Sequence, residues 1–344
     1  MKIVVDKFIP YINGVFEPFA EVQYLAPADF TPEAVRCADA LIVRTRTHCN
    51  AALLGGSQVR FIATATIGYD HIDADFCQKN GIKWTNAPGC NAPAVGRYVA
   101  SVLCFWAKKY GIDLREKTLG IVGVGHVGRE VLKMAKLLGM SVLLNDPIRE
   151  KAEKSSDFVS LAQLVHKTDI ITFHTPLTRD GEFATYHMAD AQFFADCRCK
   201  PLIINAARGG VVDENALKNA LKLGQISDCA IDCWENEQRI DAELLQMAMI
   251  ATPHIAGYSA DGKAAATEMC VRAVSQFFGL GLDDFCVKDL PTMASCQCRS
   301  YDELTQTILR SYDISRDDAA LRSAPNDFEK LRSEYKLRRD AQFN

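Results

Sequence analysis

Three small groups of residues in this 344-residue chain have the types and spacing to do chemistry. The first is Gly123-Val-Gly125-His-Val-Gly128, which closes an apolar run and opens a stretch rich in Leu, Lys and Met. In that setting the first glycine permits a tight turn and the second lets the backbone approach a pyrophosphate. The third lets helix and sheet pack closely, while the helix N-terminus faces the anion. Asp146 ends the next apolar run, 18 residues past the last glycine. A carboxylate there accepts hydrogen bonds from adenosine ribose hydroxyls, and its charge repels a 2′-phosphate. The expected cofactor is NAD rather than NADP, with contacts from Gly123, Gly125, His126, Val127, Gly128 and Asp146.

The second group is Arg208 in Asn205-Ala-Ala-Arg-Gly-Gly210, Glu237 in Asp232-Cys-Trp-Glu-Asn-Glu237 and His254 in Thr252-Pro-His-Ile-Ala-Gly257. Each falls just past an apolar run. Oxidising a secondary alcohol needs a base for the hydroxyl proton, an acceptor for the hydride and a fixed substrate carboxylate. Histidine suits the base because its charge changes near neutral pH. A carboxylate such as Glu237 would favour its protonated form and hold one tautomer. Arginine offers a planar fork matched to a carboxylate. The third group is Arg44-Thr-Arg-Thr47 at the end of an apolar run. Period two along the strand sends Arg44 and Arg46 to one face, where two guanidinium groups would suit a substrate phosphate.

These groups need elements to position them. Lys2–Val5, Leu41–Val43 and Phe61–Ala63 are apolar runs separated by helix-length stretches, a βαβ pattern around a parallel sheet. The breaker-dense run Ala87–Pro93 precedes a helical stretch, Ala94–Lys109, and marks a boundary. Alternation restarts at Gly120–Gly123, Ser141–Leu144, Ile170–Phe173, Leu202–Asn205, Cys229–Asp232 and Met249–Ala251. A second helical stretch, Lys263–Phe278, is expected to return the chain to the first domain. Beyond Pro291 the chain turns polar, with two amphipathic segments. Leu304, Ile308 and Tyr312 mark one; Phe328, Leu331 and Tyr335 mark the other, which Asn326 and Glu329 would open as a capping box. Its charged residues, Arg332, Arg338 and Arg339 among them, read as a solvated rim.

The expected fold class is therefore α/β, with two doubly wound parallel-sheet (Rossmann-like) domains and a small C-terminal α-containing region. Residues 1–93 with 257–290 form a substrate domain, 94–256 an NAD-binding domain and 291–344 the C-terminal piece.

Composition narrows the class. Hydrophobic residues make up 48% and charged ones 24%, which suits a chain with real cores rather than a disordered one. A net charge of -4 offers no field for nucleic acid or an anionic membrane surface. The opening MKIVVDKFIP lacks the apolar stretch of a signal peptide, so the cytoplasm is the expected compartment. Thirteen scattered cysteines then read as reduced thiols. Two CxC pairs, at Cys197 and Cys296, have no second pair or histidine cluster at zinc spacing, and no metal is expected.

The order GxGxxG, Arg208, Glu237, His254 resembles the D-2-hydroxyacid dehydrogenases, over residues 1 to about 290. The resemblance implies that Arg208 binds the substrate carboxylate, that Glu237 pairs with His254 and that His254 is the acid/base. It also implies cofactor contacts from Asp146, Thr175, Ala206, Ala207, Arg208, Asp232 and Gly257, and a substrate loop at Ala63–Asp73. The runs Asn86–Ala92, Thr172–Pro176, His254–Tyr258, Tyr312–Ala319 and Phe328–Arg332 resemble one branch of that family. This branch acts on a small phosphorylated 2-hydroxy acid and has a C-terminal dimerisation region. By that resemblance Thr45, Thr66 and Tyr258 bind substrate and the chain forms a homodimer. Two alternatives stay open: a shorter phosphorylated 2-hydroxy acid as substrate, and an NAD(H)-sensing corepressor-like protein on the same fold.

Overall fold

The computed structural model describes residues 1–288, 290, 295–296, 298–340 and 342–343. They form two units, Met1–Asn91 with Ser259–Thr292 and Ala92–Tyr258 with Met293–Asn344. Pro291, where the third sequence-defined piece begins, lies outside the described residues.

The first unit holds a five-stranded parallel sheet of β1 (Lys2–Asp6), β2 (Glu21–Leu25), β3 (Ala40–Val43), β4 (Phe61–Thr64) and β5 (Lys83–Thr85), in the order β2-β1-β3-β4-β5. β3 and β4 are buried along their whole length, as apolar strands covered on both faces must be. The edge strands β2 and β5 are half exposed and carry polar residues, which is why no apolar run announced them. The Ala260–Phe278 helix lays Ala266, Cys270, Val271 and Val274 against Ile3, Val5, Ala40, Ile42 and Phe61. Strand order changes direction between β1 and β3, and a ligand crevice is expected beyond their carboxyl ends.

The second unit holds a six-stranded parallel sheet. Its strands are β6 (Thr118–Val122), β7 (Ser141–Asn145), β8 (Ile170–Phe173), β9 (Leu202–Asn205), β10 (Asp228–Ile231) and β11 (Ile250–Ala251), in the order β11-β10-β9-β8-β6-β7. Here the reversal lies between β6 and β8. The Gly123–Gly128 turn follows β6, and His174-Thr175 follows β8.

The tail differs from the sequence reading in four respects. Its described residues form three helices rather than two, Tyr301–Ser311, Ile314–Ser323 and Phe328–Ser333, so Tyr312 and Tyr335 lie just beyond helix ends. The Asn326–Glu329 capping box does not form; Asp327 takes the N-cap position, and no side chain bonds the first turn. The tail is not a separate piece. Leu304, Ile308, Tyr312 and Ile314 join one core of the second unit, while Leu321 and Phe328 join the other. Asp318 Oδ1 accepts the Ala251 N–H at 2.7 Å, and Arg322 donates to the carbonyls of Leu245 and Ala248, so the tail covers the β11 edge of the sheet. Nor are its charges all a rim: Arg338 donates to the carbonyls of Ile255 and Ala256 and packs over the Tyr312 ring at 4.1 Å.

Candidate active site

In the second unit, Gly123 has φ +88°, a left-handed backbone that favours glycine. A Cβ on Gly128 would stand 2.2 Å from the Gly123 carbonyl oxygen, so the turn and the His126–Leu137 helix close on each other only without side chains. A Cβ on Gly125 would meet nothing within 4 Å, which leaves room beyond that backbone. Thr175 Oγ1 is buried without a hydrogen-bond partner, and its methyl lies against Gly123. A backbone turn at a helix start, open space beyond it and an orphaned hydroxyl fit a dinucleotide.

Asp146 has a local task as well. Its Oδ1 accepts the Arg149 N–H at 3.0 Å and caps the Pro147–Glu153 helix, while Oδ2 accepts the Val124 N–H at 2.9 Å. Each oxygen keeps a second lone pair for a ribose hydroxyl. The Arg149 guanidinium beside it is held by Glu153 through bonds of 2.7 and 2.9 Å.

Arg208, Glu237 and His254 follow β9, β10 and β11, three neighbouring strands. Asn205 at the end of β9 organises the first two loops. Its amide donates to the carbonyls of Arg208 (3.0 Å) and Cys233 (3.3 Å), and its oxygen accepts the Ala207 N–H. A Cβ on Gly209 would lie 1.9 Å from the Trp234 carbonyl oxygen, so only glycine lets the Arg208 loop approach this closely. Asp232, buried at the end of β10, accepts the Thr252 hydroxyl at 2.7 Å and the N–H groups of Ile255 and Ala256 at 2.8 and 3.0 Å. The expected cofactor residue is thus also the anchor of the His254 loop. Burial pushes its carboxyl up, against those donors.

His254 sits at φ +54°, uncommon for a non-glycine residue, and its N–H is bonded to the Asp232 carbonyl at 2.9 Å. This backbone turns the imidazole to Glu237, whose Oε1 meets His254 Nδ1. Burial opposes the charge on Glu237. The bond to His254 and the charges of His254, Arg332 and Arg208 outweigh it, and the carboxyl lies below its ordinary range. Arg332, from the tail, donates to Glu237 Oε2 at 3.2 Å and to the Tyr258 hydroxyl at 3.1 Å.

In the first unit, β3 ends at Val43, and the Thr47 N–H bonds back to the Arg44 carbonyl at 3.1 Å. Arg44 and Arg46 therefore lie on a turn, and the strand alternation that would pair them does not apply. Arg44 is engaged by Asp6 at the end of β1, Nε to Oδ2 at 2.9 Å, which holds its guanidinium on that turn. Thr45 and Arg46 are exposed. The Thr66 hydroxyl bonds the Gly68 carbonyl and the Thr64 hydroxyl, which in turn meets His71 Nε2 at 2.9 Å. Burial lowers the His71 pKa to about 4, so the loop is braced by a neutral imidazole.

Sequence reading missed Asn205, His71 and Arg332. Asn205 and His71 stood inside quoted stretches, as a strand end and a loop residue; Arg332 acts through a partner that only the fold brings near. Among the described residues, one grouping has ligand-type atoms within 4.8 Å of one another: His187, Asp213 and Glu235. No helix among them is long and apolar enough to cross a membrane.

Residues 102–256 match the model of the D-isomer specific 2-hydroxyacid dehydrogenase family, NAD binding domain. The chain is similar to the erythronate-4-phosphate dehydrogenase of Bacteroides fragilis, 49% identical over 341 residues that cover 99% of this chain and 97% of that one. It is also similar to that of Escherichia coli, 41% identical with 99% and 92% covered. Among solved structures, an NAD+-bound 3-phosphoglycerate dehydrogenase from Entamoeba histolytica aligns with a TM-score of 0.67 at 25% identity, covering 85% of this chain and 99% of that one. A D-lactate dehydrogenase from Aquifex aeolicus in complex with NAD and lactic acid aligns with the same score at 24% identity, covering 85% and 100%, and shows the shared fold.

Proposed function

The chain belongs to the erythronate-4-phosphate dehydrogenases, a branch of the NAD-dependent D-2-hydroxyacid dehydrogenases, and on that premise we propose that it oxidises 4-phospho-D-erythronate to (R)-3-hydroxy-2-oxo-4-phosphobutanoate in pyridoxal 5′-phosphate (vitamin B6) biosynthesis. The observation that carries the chemistry is the Glu237–His254 pair beside the Arg208 turn, at the ends of three adjacent strands.

Each residue then has a role. Arg208 holds the substrate carboxylate, which orients C2 and its hydroxyl. His254 Nε2 takes the hydroxyl proton as the C2 hydride departs, and Glu237 at Nδ1 stabilises the imidazolium that forms. NAD, when bound, supplies the hydride acceptor. Gly123, Gly125, His126, Val127, Gly128, Asp146, Thr175, Ala206, Ala207, Arg208, Asp232 and Gly257 are the residues assigned to hold it. For the substrate we assign Tyr258 and, in the first unit, Arg44, Thr45, Arg46 and Thr66, with the phosphate at Arg44 and Arg46. Arg44 supports that turn through Asp6. The binding-protein alternative falls away with the family.

The test is the rate of NADH formation over a panel of D-2-hydroxy acids. The highest kcat/KM is expected for 4-phospho-D-erythronate, with 3-phosphoglycerate and unphosphorylated acids well below it. A preference for 3-phosphoglycerate overturns the substrate assignment. We also propose a homodimer to which the tail contributes, two-fold dimers being the commonest assembly of soluble enzymes.

A further inference from the structure

The Glu237 carboxylate is shared between an imidazole and a guanidinium on opposite oxygens. Oε1 meets His254 Nδ1, and Oε2 accepts from Arg332 Nη1 at 3.2 Å. Arg332 comes from the last helix of the tail, 95 residues further along the chain. That helix is fixed in the second unit by Phe328, which is 3% exposed, and by Leu331 packed on the same core. The Arg332 side chain is mostly covered, at 21% exposure. A second donor, Nε, goes to the Tyr258 hydroxyl, and Glu329 lies 3.5 Å from Nη1. A side chain that only pinned the tail would not need to reach the carboxylate that orients the base.

We propose that Arg332 is a positioning residue for the Glu237–His254 pair: it holds the carboxylate in register and keeps the imidazole in its neutral, proton-accepting form to lower pH than Glu237 alone would. The inference rests on the reading of His254 as base and Glu237 as its partner. Two effects of the guanidinium have the same sign. It repels the nearby imidazolium, and it takes up part of the Glu237 charge that would otherwise stabilise that imidazolium. The other charged groups around the pair are Arg208, from the loop after β9, and Asp232, at the end of β10; Tyr258, on the same loop as His254, meets Arg332. Arg208 adds to the effect of Arg332, and Asp232 opposes it. Freed from Arg332, the carboxylate also gains rotamer freedom, and the ring it orients loses its fixed direction. This gives the tail a task within its own chain, separate from any contact with a second copy.

The test compares wild type, Arg332→Met, Arg332→Lys and Glu237→Gln. Two readouts are used: the pH profile of kcat/KM for oxidation, and the His254 titration in 13C-histidine-labelled protein without ligands, assigned with His254→Ala. Arg332→Met is expected to move the acid limb and the His254 midpoint up by about 0.5–1 pH unit and to lower kcat several-fold, with NAD affinity unchanged. Arg332→Lys, which keeps the charge, is expected to restore both midpoints to near the wild-type value. Glu237→Gln is expected to move them down. Should Arg332→Met not fold, Arg332→Gln carries the same expectation. A folded Arg332→Met or Arg332→Gln protein with both midpoints unmoved overturns the proposal and leaves Arg332 a tail anchor. Unmoved midpoints in Glu237→Gln instead remove Glu237 as the partner, and the inference falls with that reading.

Discussion

The indole N–H of Trp234 donates to the carbonyl oxygen of Thr252 at 3.0 Å, inside the core of the second unit. This bond ties the loop that carries Glu237 to the loop that carries His254, across 18 residues of chain. Asp232 adds a second tie through Thr252, Ile255 and Ala256. The Glu237–His254 pair is thus set by buried hydrogen bonds between the two loops, while Glu237 Oε2 is held from the other side by Arg332.

Replacing His254 by Ala should therefore remove the base without disturbing the loop, whose backbone is held by Asp232. Turnover is expected to fall by about 10²–10⁴-fold, with little change in NAD affinity. Steady-state rates set beside NADH binding followed by fluorescence check this. A variant retaining over half the wild-type rate removes His254 from the role.

Cofactor choice turns on Asp146. Asp146→Ser keeps an acceptor for the helix cap but loses the charge that repels a 2′-phosphate, so the kcat/KM ratio of NAD to NADP is expected to drop. Arg149 sits next to it, tied to Glu153. Adding Glu153→Gln should release that guanidinium for the phosphate and relax the preference further. Equal use of both cofactors by wild type would end this account of Asp146.

Glu214 and Glu235 exchange bonds, each carboxylate accepting the other's N–H at 2.8 and 3.1 Å. Burial, with Glu235 and Asp241 nearby, pushes the Glu214 carboxyl up to about 7. The folded chain therefore holds a proton that the unfolded chain releases near its ordinary value, and stability is lost as pH rises from about 4.5 to 7. Glu214→Gln keeps the acceptor and escapes that loss. It should be more stable than wild type by about 1–2 kcal/mol at pH 8, solvent screening included, and nearly equal to it at pH 4.5. Urea unfolding at the two pH values decides it, and a variant no more stable at pH 8 refutes it.

Light scattering of the full chain should give about 76 kDa, twice the 38.0 kDa of one copy, if the proposed dimer forms. A mass near 38 kDa at micromolar concentration counts against it. Ending the chain before Asp289, a residue outside the described set, would strip Leu304, Ile308, Ile314, Leu321 and Phe328 from the cores they complete. A clear fall in Tm is expected along with the loss of mass, so truncation alone does not isolate the dimer contacts.

The parts of the site legible in the sequence are those made by the backbone of one short stretch. Gly123 and Gly128 could be assigned because their neighbours forbid a Cβ, and Arg208, Glu237 and His254 because each follows an apolar strand. The strand alternation read for Arg44 and Arg46 does not apply because nothing in the run marks where β3 stops; the strand ends at Val43, three residues before Arg46, and a turn follows. Arg332 and Arg338 looked like surface charge, since charged residues at helical spacing usually are. Their partners are the Glu237 carboxylate and the carbonyls of Ile255 and Ala256, about 80–95 residues away, a separation that local pattern does not encode.

The first unit is built from two stretches of chain, and this sets an order of events at the ribosome. Its five strands are synthesised by Thr85, but the helix that covers Ile3, Ile42 and Phe61 ends only at Phe278. At about 5–20 residues per second, roughly 10–40 s pass before that helix emerges, while the whole six-stranded sheet of the second unit is being made. For that interval the nascent chain presents an apolar sheet face lacking its covering helix, a target for holding chaperones and for misassembly with its neighbours on the same message. Yield of active protein should therefore respond to elongation rate and chaperone supply more than to the stability of the finished molecule.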